Sequence, residues 1–372
     1  MLKNRLQILR KEMQNKQLDL LLLTRSEDVF YISGYCSPVE GLPVVLIIPL
    51  AGEPVIILAE HELEAAKQTS WVKEYRTYIY YSLNIVPALD EQIAELVVSV
   101  IQGFGFPHRK VGIEGFYMPV KLFEALKMEL KNPEFIDFTS ILKAMQTVKS
   151  KEEIEAIRRA VRICDVGQEA VMTELREGVS EIELSNKARL AMETAVGEPL
   201  LIGSDLVSGQ RTEEGGGAPD NRKLCVGDLV LSDIFPRING YWGDTTRSFC
   251  VGRFTEKQKE IYRIIVESLY RGIAIIRQGV RASYVDREVR SCIDSKGYGE
   301  YFPHHTGHGI GITHLEAPLI IPDNDCELRA GMVLALEPGI YIPGQWGIKI
   351  EEDVLVTDNG AEVLSKQKLE VS

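Results

Sequence analysis

Residues 229–249 read LVLSDIFPRINGYWGDTTRSF, and two carboxylates in this stretch stand where carboxylates are costly. Asp233 follows the apolar run Leu229, Val230, Leu231, and Asp244 lies just past the aromatic pair Tyr241 and Trp242. Between them, Asn239-Gly240 is the residue pair favoured in two-residue hairpin turns, where both central positions need positive φ. A turn there sets Asp233 opposite Thr246, and strand alternation then puts Asp244 on the same face as Asp233. Two buried carboxylates on one face raise each other's pKa unless a cation lies between them, so the hairpin calls for a metal or a bound positive group. A solvent-facing hairpin that happens to carry two aspartates is the alternative.

Working outward, 372 residues with 45% hydrophobic content predict a soluble globular chain of two or three domains. The amino-terminal stretch RLQILRKEM reads as an amphipathic helix and not a signal peptide. The most apolar region, Leu42 to Leu58, is broken by Pro43, Pro49, Gly52 and Pro54, which predicts two strands and a turn and no membrane span. Six scattered cysteines form no zinc or redox motif and are expected to be reduced thiols of a cytoplasmic protein. A net charge of -12 argues against a nucleic-acid partner, because phosphate binding needs concentrated Lys and Arg.

From Leu18 onward, short apolar runs alternate with helical segments, which predicts an α/β domain over residues 1–140 without a glycine-rich phosphate loop. The remaining residues, 141–372, open a different architecture. Ser150 with Glu153, and Ser180 with Glu183, form capping boxes that start two helices. An internal echo follows. LREGVSEIELSNKAR from Leu175 resembles IRQGVRASYVDREVR from Ile276, with Arg176, Gly178, Val179 and Arg189 matched by Arg277, Gly279, Val280 and Arg290. Each copy is followed by an apolar strand bearing an acid and a further strand bearing another. Asp233 and Asp244 are the acids of the first copy, Glu337 and Glu351 those of the second. Such a pseudo-two-fold repeat brings four carboxylates to a common centre.

FPHHTGHGIGITHLEAP, from Phe302 to Pro318, adds a histidine cluster in which the glycines at 307, 309 and 311 let backbone approach closely. A polar surface loop is the alternative reading. Taken together, Asp233, Asp244, His308, Glu337 and Glu351 are a carboxylate-rich set with one histidine. That set suits a pair of divalent ions such as Mn2+, Co2+ or Zn2+ better than a structural zinc site, which prefers thiolates. Paired divalent ions of this kind serve amide hydrolysis.

The motifs GDLVLSD, GDTTRSF, HTGHGIG, LALEPGIY and GIKIEEDV, in this order, resemble those of the pita-bread metallopeptidases, which include Xaa-Pro aminopeptidase, prolidase and the metal-free relative creatinase. RLQILRKEM and DVFYISGY resemble the amino-terminal domain of the same branch. The resemblance implies an α/β amino-terminal domain and an α+β pita-bread domain with a pseudo-two-fold repeat. It implies two metals, Mn2+ above all, held by Asp233, Asp244, His308, Glu337 and Glu351, with Glu337 also shuttling a proton. It further implies a homodimer and cleavage of the bond before proline, as an Xaa-Pro aminopeptidase or dipeptidase.

Three departures bear on the substrate. Proline-directed members carry a histidine in the loop before the first metal aspartate, near Gly216 here, and another directly before Glu-Ala-Pro, where this chain has Leu315. An arginine two residues before the last glutamate is replaced by Lys349, which keeps the charge but not the bidentate fork. His314 lies one residue from the expected place, and on an extended segment such a shift reverses the side chain. His304 and His314 are therefore the candidates for catalytic or substrate-holding groups beside Glu337. A small non-peptide amide, as in creatinase, is the alternative substrate, and an inactive binding module of the same fold the alternative function.

Overall fold

The computed structural model describes residues 2–37, 41–84, 86–105 and 110–369. The chain divides into two compact units, Met1–Met145 and Gln146–Ser372. This boundary falls a little beyond the expected 140. The helix Thr139–Thr147 is tied to the first unit through Phe138 N, which donates to Ile113 O, and through Tyr31 Oη, which donates to Met145 O at 2.9 Å.

The first unit is a six-stranded mixed sheet in the order Glu74–Tyr78, Val55–Ala59, Val45–Pro49, Leu20–Leu23, Lys110–Ile113, Glu134–Asp137. The three strands Leu20–Leu23, Val45–Pro49 and Val55–Ala59 are buried at every position, as expected of a sheet covered on both faces. The helices Leu89–Gly103 and Val120–Glu129 bury Ile93, Val97, Ile101, Leu122 and Leu126 against it. Each such side chain stabilises the fold by about 1.5–3 kcal/mol. The helix Ser26–Ser33 has no legible N-cap. Its entry is instead held by Glu114, whose carboxylate accepts from the backbone N–H of Thr24 and Arg25.

In the second unit the helices Lys151–Glu174 and Glu181–Val196 both start in complete capping boxes, with Ser150 and Ser180 accepting from the N–H groups of Glu153 and Glu183. A third box, Thr255 with Gln258, opens the helix Glu256–Ile275. The strands form a sheet Thr245–Cys250, Leu229–Ile238, Leu201–Ser208, and a second sheet Glu316–Ile320, Gly307–Gly309, Val333–Leu336, Glu352–Val356, Ala361–Val363.

The sequence echo is a structural repeat. Gly178 (φ 83°) and Gly279 (φ 85°) occupy the same left-handed turn, and their N–H groups donate to Leu224 O and Leu328 O at 2.9 and 2.8 Å. After each turn comes a helix, Glu181–Val196 or Ala282–Ser295. The arginine that ends the repeat, Arg189 or Arg290, donates to carbonyls of the chain that follows: Leu200 and Ile202 in the first copy, Phe302 and His304 in the second. Each half also has its own apolar core, one around Val171, Leu184, Met192 and Val230, the other around Ile265, Val285, Leu334 and Val354. Among the described residues no helix is long and apolar enough to cross a membrane, and all six cysteines are free.

Candidate metal centre

The hairpin of residues 229–249 forms as its turn chemistry demands. Asn239 and Gly240 both take positive φ, 49° and 84°, and the register pairs Ile238 with Tyr241 and Asp233 with Thr246. Gly243 lets this hairpin lie directly on the helix Lys151–Glu174, since a Cβ there would stand 2.6 Å from Val161 N. The same helix sends Gln168 Nε2 to Ser232 O at 3.1 Å and Thr245 O at 2.8 Å, which clamps the two strands beside each aspartate.

Glu337 follows the strand Val333–Leu336 directly, and Glu351 stands between the strands Trp346–Lys349 and Glu352–Val356. Glu351 is fixed to the first hairpin: its N–H donates to Thr246 O at 3.1 Å and its carboxylate accepts from Thr246 Oγ1 at 2.7 Å. The buried Arg247 donates to Glu351 O and pairs with Glu352. Asp244 N donates to the buried Asp353 at 2.8 Å, a second orienting acid. As a result Asp233, Asp244 and Glu351 bring carboxylate oxygens within 4.8 Å of one another, all three buried.

His308 is on the short strand Gly307–Gly309, whose glycines are needed for space: a Cβ at 307 or 309 would stand 2.1 Å from Ala335 O or 2.3 Å from Ala317 O. Its Nε2 lies 3.8 Å from Asp244 and 3.6 Å from Glu337. The five ligand candidates thus form one cluster. Lys349 joins them, its Nζ donating to Asp233 at 2.7 Å and to Glu337 at 3.3 Å.

The structure separates the other candidate histidines, His304 and His314. His304 bonds to Tyr341 Oη at 2.8 Å and to a backbone carbonyl, one step removed from the acids. Its neighbour His305, not singled out by spacing, is the one whose Nε2 lies 2.9 Å from Glu337 Oε1. His314 was expected to point away if its segment were extended. Residues 311–315 instead run as a series of bends, and His314 Nε2 approaches Asp244 Oδ2 to 2.6 Å. Its ring stacks on Phe235, with centroids 4.1 Å apart, while Leu315 is exposed. Asp205, also missed, pairs directly with Asp233 across the strands and lies against Gly216.

Electrostatics explain why these groups need a cation. Burial first, then Glu351 and Asp233, push the Asp244 carboxyl well above its ordinary value; burial, Asp233 and Glu337 do the same to Glu351. Asp205 is raised by burial and by Asp233. Burial alone would also raise Glu337, but Lys349, His305 and His308 reverse it and hold it well below the carboxylate range. Burial lowers Lys349 too, and Asp233, Glu337 and Glu351 more than restore its charge. Burial and His308 pull His314 down to about 4, and burial lowers His308, so both offer neutral nitrogens.

One ammonium is thus set among the four carboxylates Asp233, Asp244, Glu337 and Glu351, and Asp233 Oδ1 and Asp244 Oδ1 are buried without a partner. Oxygen-rich donors with neutral imidazoles, short of positive charge, fit divalent cations. A centre of this make-up, seated between two related halves of an α+β domain, defines a metal-dependent hydrolase of the peptidase class.

Comparison with known proteins gives the same answer. Residues 155–358 match the model of metallopeptidase family M24, and residues 5–148 match that of the creatinase/prolidase N-terminal domain. The Xaa-Pro dipeptidase of Pyrococcus furiosus is 32% identical over 370 residues, covering 100% of both chains. Among solved structures, an Xaa-Pro dipeptidase from Bacillus anthracis superposes with a TM-score of 0.88 at 30% identity, covering 100% of this chain and 99% of that one. The X-Pro aminopeptidase of Thermotoga maritima does so with a TM-score of 0.85 at 25% identity, covering 95% and 97%. The chain belongs to metallopeptidase family M24, in its prolidase branch.

Proposed function

We propose that this enzyme is a metal-dependent Xaa-Pro dipeptidase, hydrolysing the amide bond before proline. The observation that carries the reading is the convergence of Asp233, Asp244 and Glu351 within 4.8 Å, beside His308 and Glu337, with two buried carboxylate oxygens left unpartnered. Asp233, Asp244, His308, Glu337 and Glu351 are the residues that would hold two divalent ions, whose Lewis acidity polarises a carbonyl and acidifies water when bound. Mn2+ is our choice, because carboxylate oxygens outnumber imidazole nitrogens in the donor set.

The chain's own groups divide the remaining work. Glu337, kept ionised by Lys349 and His305, is placed to accept a proton from the attacking water and return it to the leaving proline nitrogen. His305 orients that carboxylate. His314, neutral at physiological pH and braced on Phe235, is placed to hold the substrate. His304, bonded to Tyr341, supports the loop that carries His305 and His308. We also propose a cytoplasmic homodimer, for which the six free cysteines and the family resemblance speak.

Metal analysis with assays on Xaa-Pro dipeptides and on longer peptides with proline second tests the reading. Metal-stimulated release of proline from dipeptides is the expected result. An Asp244→Ala variant should lose bound metal and nearly all turnover. Failure of the wild-type protein to retain metal, together with an unchanged melting temperature in Asp244→Ala, overturns it. Light scattering after gel filtration checks the dimer.

A further inference from the structure

Beside the metal centre, Asp205 stands directly opposite Asp233 in the pairing of Leu201–Ser208 with Leu229–Ile238. Residues paired in this way point to the same face of the sheet, so Asp205 shares the face that carries the metal ligand. Asp233 itself is 7% exposed and keeps Oδ1 without a partner. Asp205 is half-buried, and its carboxyl feels the Lys349 ammonium and the Gly217 backbone as well as Asp233. Among the described residues, no lysine, arginine or histidine forms an ion pair with it.

The segment before the hairpin is shaped to make room for this carboxylate. A Cβ at Gly216 would stand 2.5 Å from Asp205 Oδ2, and the Gly216 backbone does not have the positive φ that by itself favours glycine. Glycine is therefore required there for space, and the space belongs to the Asp205 carboxylate. One step along the same face, Phe235 pairs with Gly203, and its ring lies across the vacant side of that glycine, where a Cβ would stand 1.8 Å from the ring. Trp242 and His314 flank Phe235, with centroids 6.2 and 4.1 Å away. A half-buried carboxylate without an ion-pair partner, diagonal to a partly exposed aromatic ring, is an environment for an organic cation, which gains charge-assisted hydrogen bonds from the first and apolar contact for its stem from the second.

We infer that Asp205, with Phe235, is a specificity-determining site that selects substrates whose residue before proline carries a cationic nitrogen, an ammonium or guanidinium. This inference rests on the reading of the enzyme as an Xaa-Pro dipeptidase. It assigns the site an order of preference, with lysine or arginine favoured over an uncharged residue of the same length and glutamate disfavoured.

The test compares kcat/KM of the Mn2+-loaded enzyme for Lys-Pro, Arg-Pro, norleucine-Pro and Glu-Pro. Wild type should favour Lys-Pro over norleucine-Pro by about tenfold, the size of one charge-assisted contact in a partly exposed site. Asp205→Asn should bring that ratio close to one, Asp205→Glu should restore part of it, and Asp205→Lys should turn the preference towards Glu-Pro. Circular dichroism melting confirms that each variant folds, and Asp205→Asn alone decides if Asp205→Lys does not. Hydrolysis of all four dipeptides without a charge preference, or a preference unchanged in Asp205→Asn, overturns this inference and leaves the dipeptidase reading standing. Absence of hydrolysis of every Xaa-Pro dipeptide by metal-loaded enzyme refutes the dipeptidase reading, and the inference with it.

Discussion

Lys349→Met tests the electrostatic argument directly. Methionine matches the lysine stem in length and keeps its packing, so the change isolates the ammonium, which donates to Asp233 at 2.7 Å and to Glu337 at 3.3 Å. In the metal-free protein its loss leaves four close carboxylates without their resident positive charge. The cheapest remedy is for one carboxyl to take up a proton, which costs about 1.4 kcal/mol per pH unit above an ordinary pKa of about 4.5, or about 4 kcal/mol at pH ~7.5. That figure agrees with the roughly 3–5 kcal/mol typical of breaking a buried ion pair. The sign follows from the titration. A carboxyl whose folded pKa is raised contributes stability that is complete below its unfolded pKa and is lost as pH rises. The penalty should therefore shrink to about 1.4 kcal/mol near pH 5.5. Bound divalent cations supply the missing charge, so the metal-loaded variant should lie within about 1 kcal/mol of wild type. Urea unfolding at the two pH values, with and without Mn2+, measures all three quantities. A penalty under about 1 kcal/mol in metal-free protein at the higher pH, or one indifferent to both acid and metal, refutes the reasoning.

Other perturbations probe the frame around the site. Gly240→Ala forces an L-residue to φ 84° in the turn and should cost about 1–2 kcal/mol, read as a fall in melting temperature of several degrees. Gly243→Ala places a methyl 2.6 Å from the helix backbone at Val161 N; it should cost about 1–3 kcal/mol and, by displacing Asp244, weaken metal binding in titration calorimetry. In the first unit, burial and Asp28 push the Glu114 carboxyl up to about 9. Its raised pKa contributes stability complete below about pH 4.5 and lost progressively towards pH 9, so Glu114→Gln should gain on wild type as pH rises between those limits. Parallel denaturation curves at both ends of that window check the direction, and a difference independent of pH would falsify the account.

What was legible and what was not divides along physical lines. The turn at Asn239-Gly240 and the capping boxes at Ser150 and Ser180 were readable because each depends on a few adjacent residues. The helix Ser26–Ser33 was not, since its entry is held by Glu114 from a distant strand. His314 shows the limit of alternation: the rule that a one-residue shift reverses a side chain holds for strands, and residues 311–315 are bends. His305 was passed over for His304 because spacing from His308 cannot say which of two adjacent rings turns towards Glu337.

By itself the sequence determined the two-part architecture, the hairpin with its register, the repeat with the four acids it brings forward, and His308 beside them, because periodicity, turn chemistry and caps act over short range. Tertiary structure decided what surrounds them. Lys349 against Asp233, Thr246 against Glu351 and Asp353 behind Asp244 are contacts between segments far apart in the chain, and Asp205 fits against Gly216 only once its strand is registered. Such contacts depend on how strands register and how loops bend, and these are settled by packing of the whole domain rather than by any local run of residues.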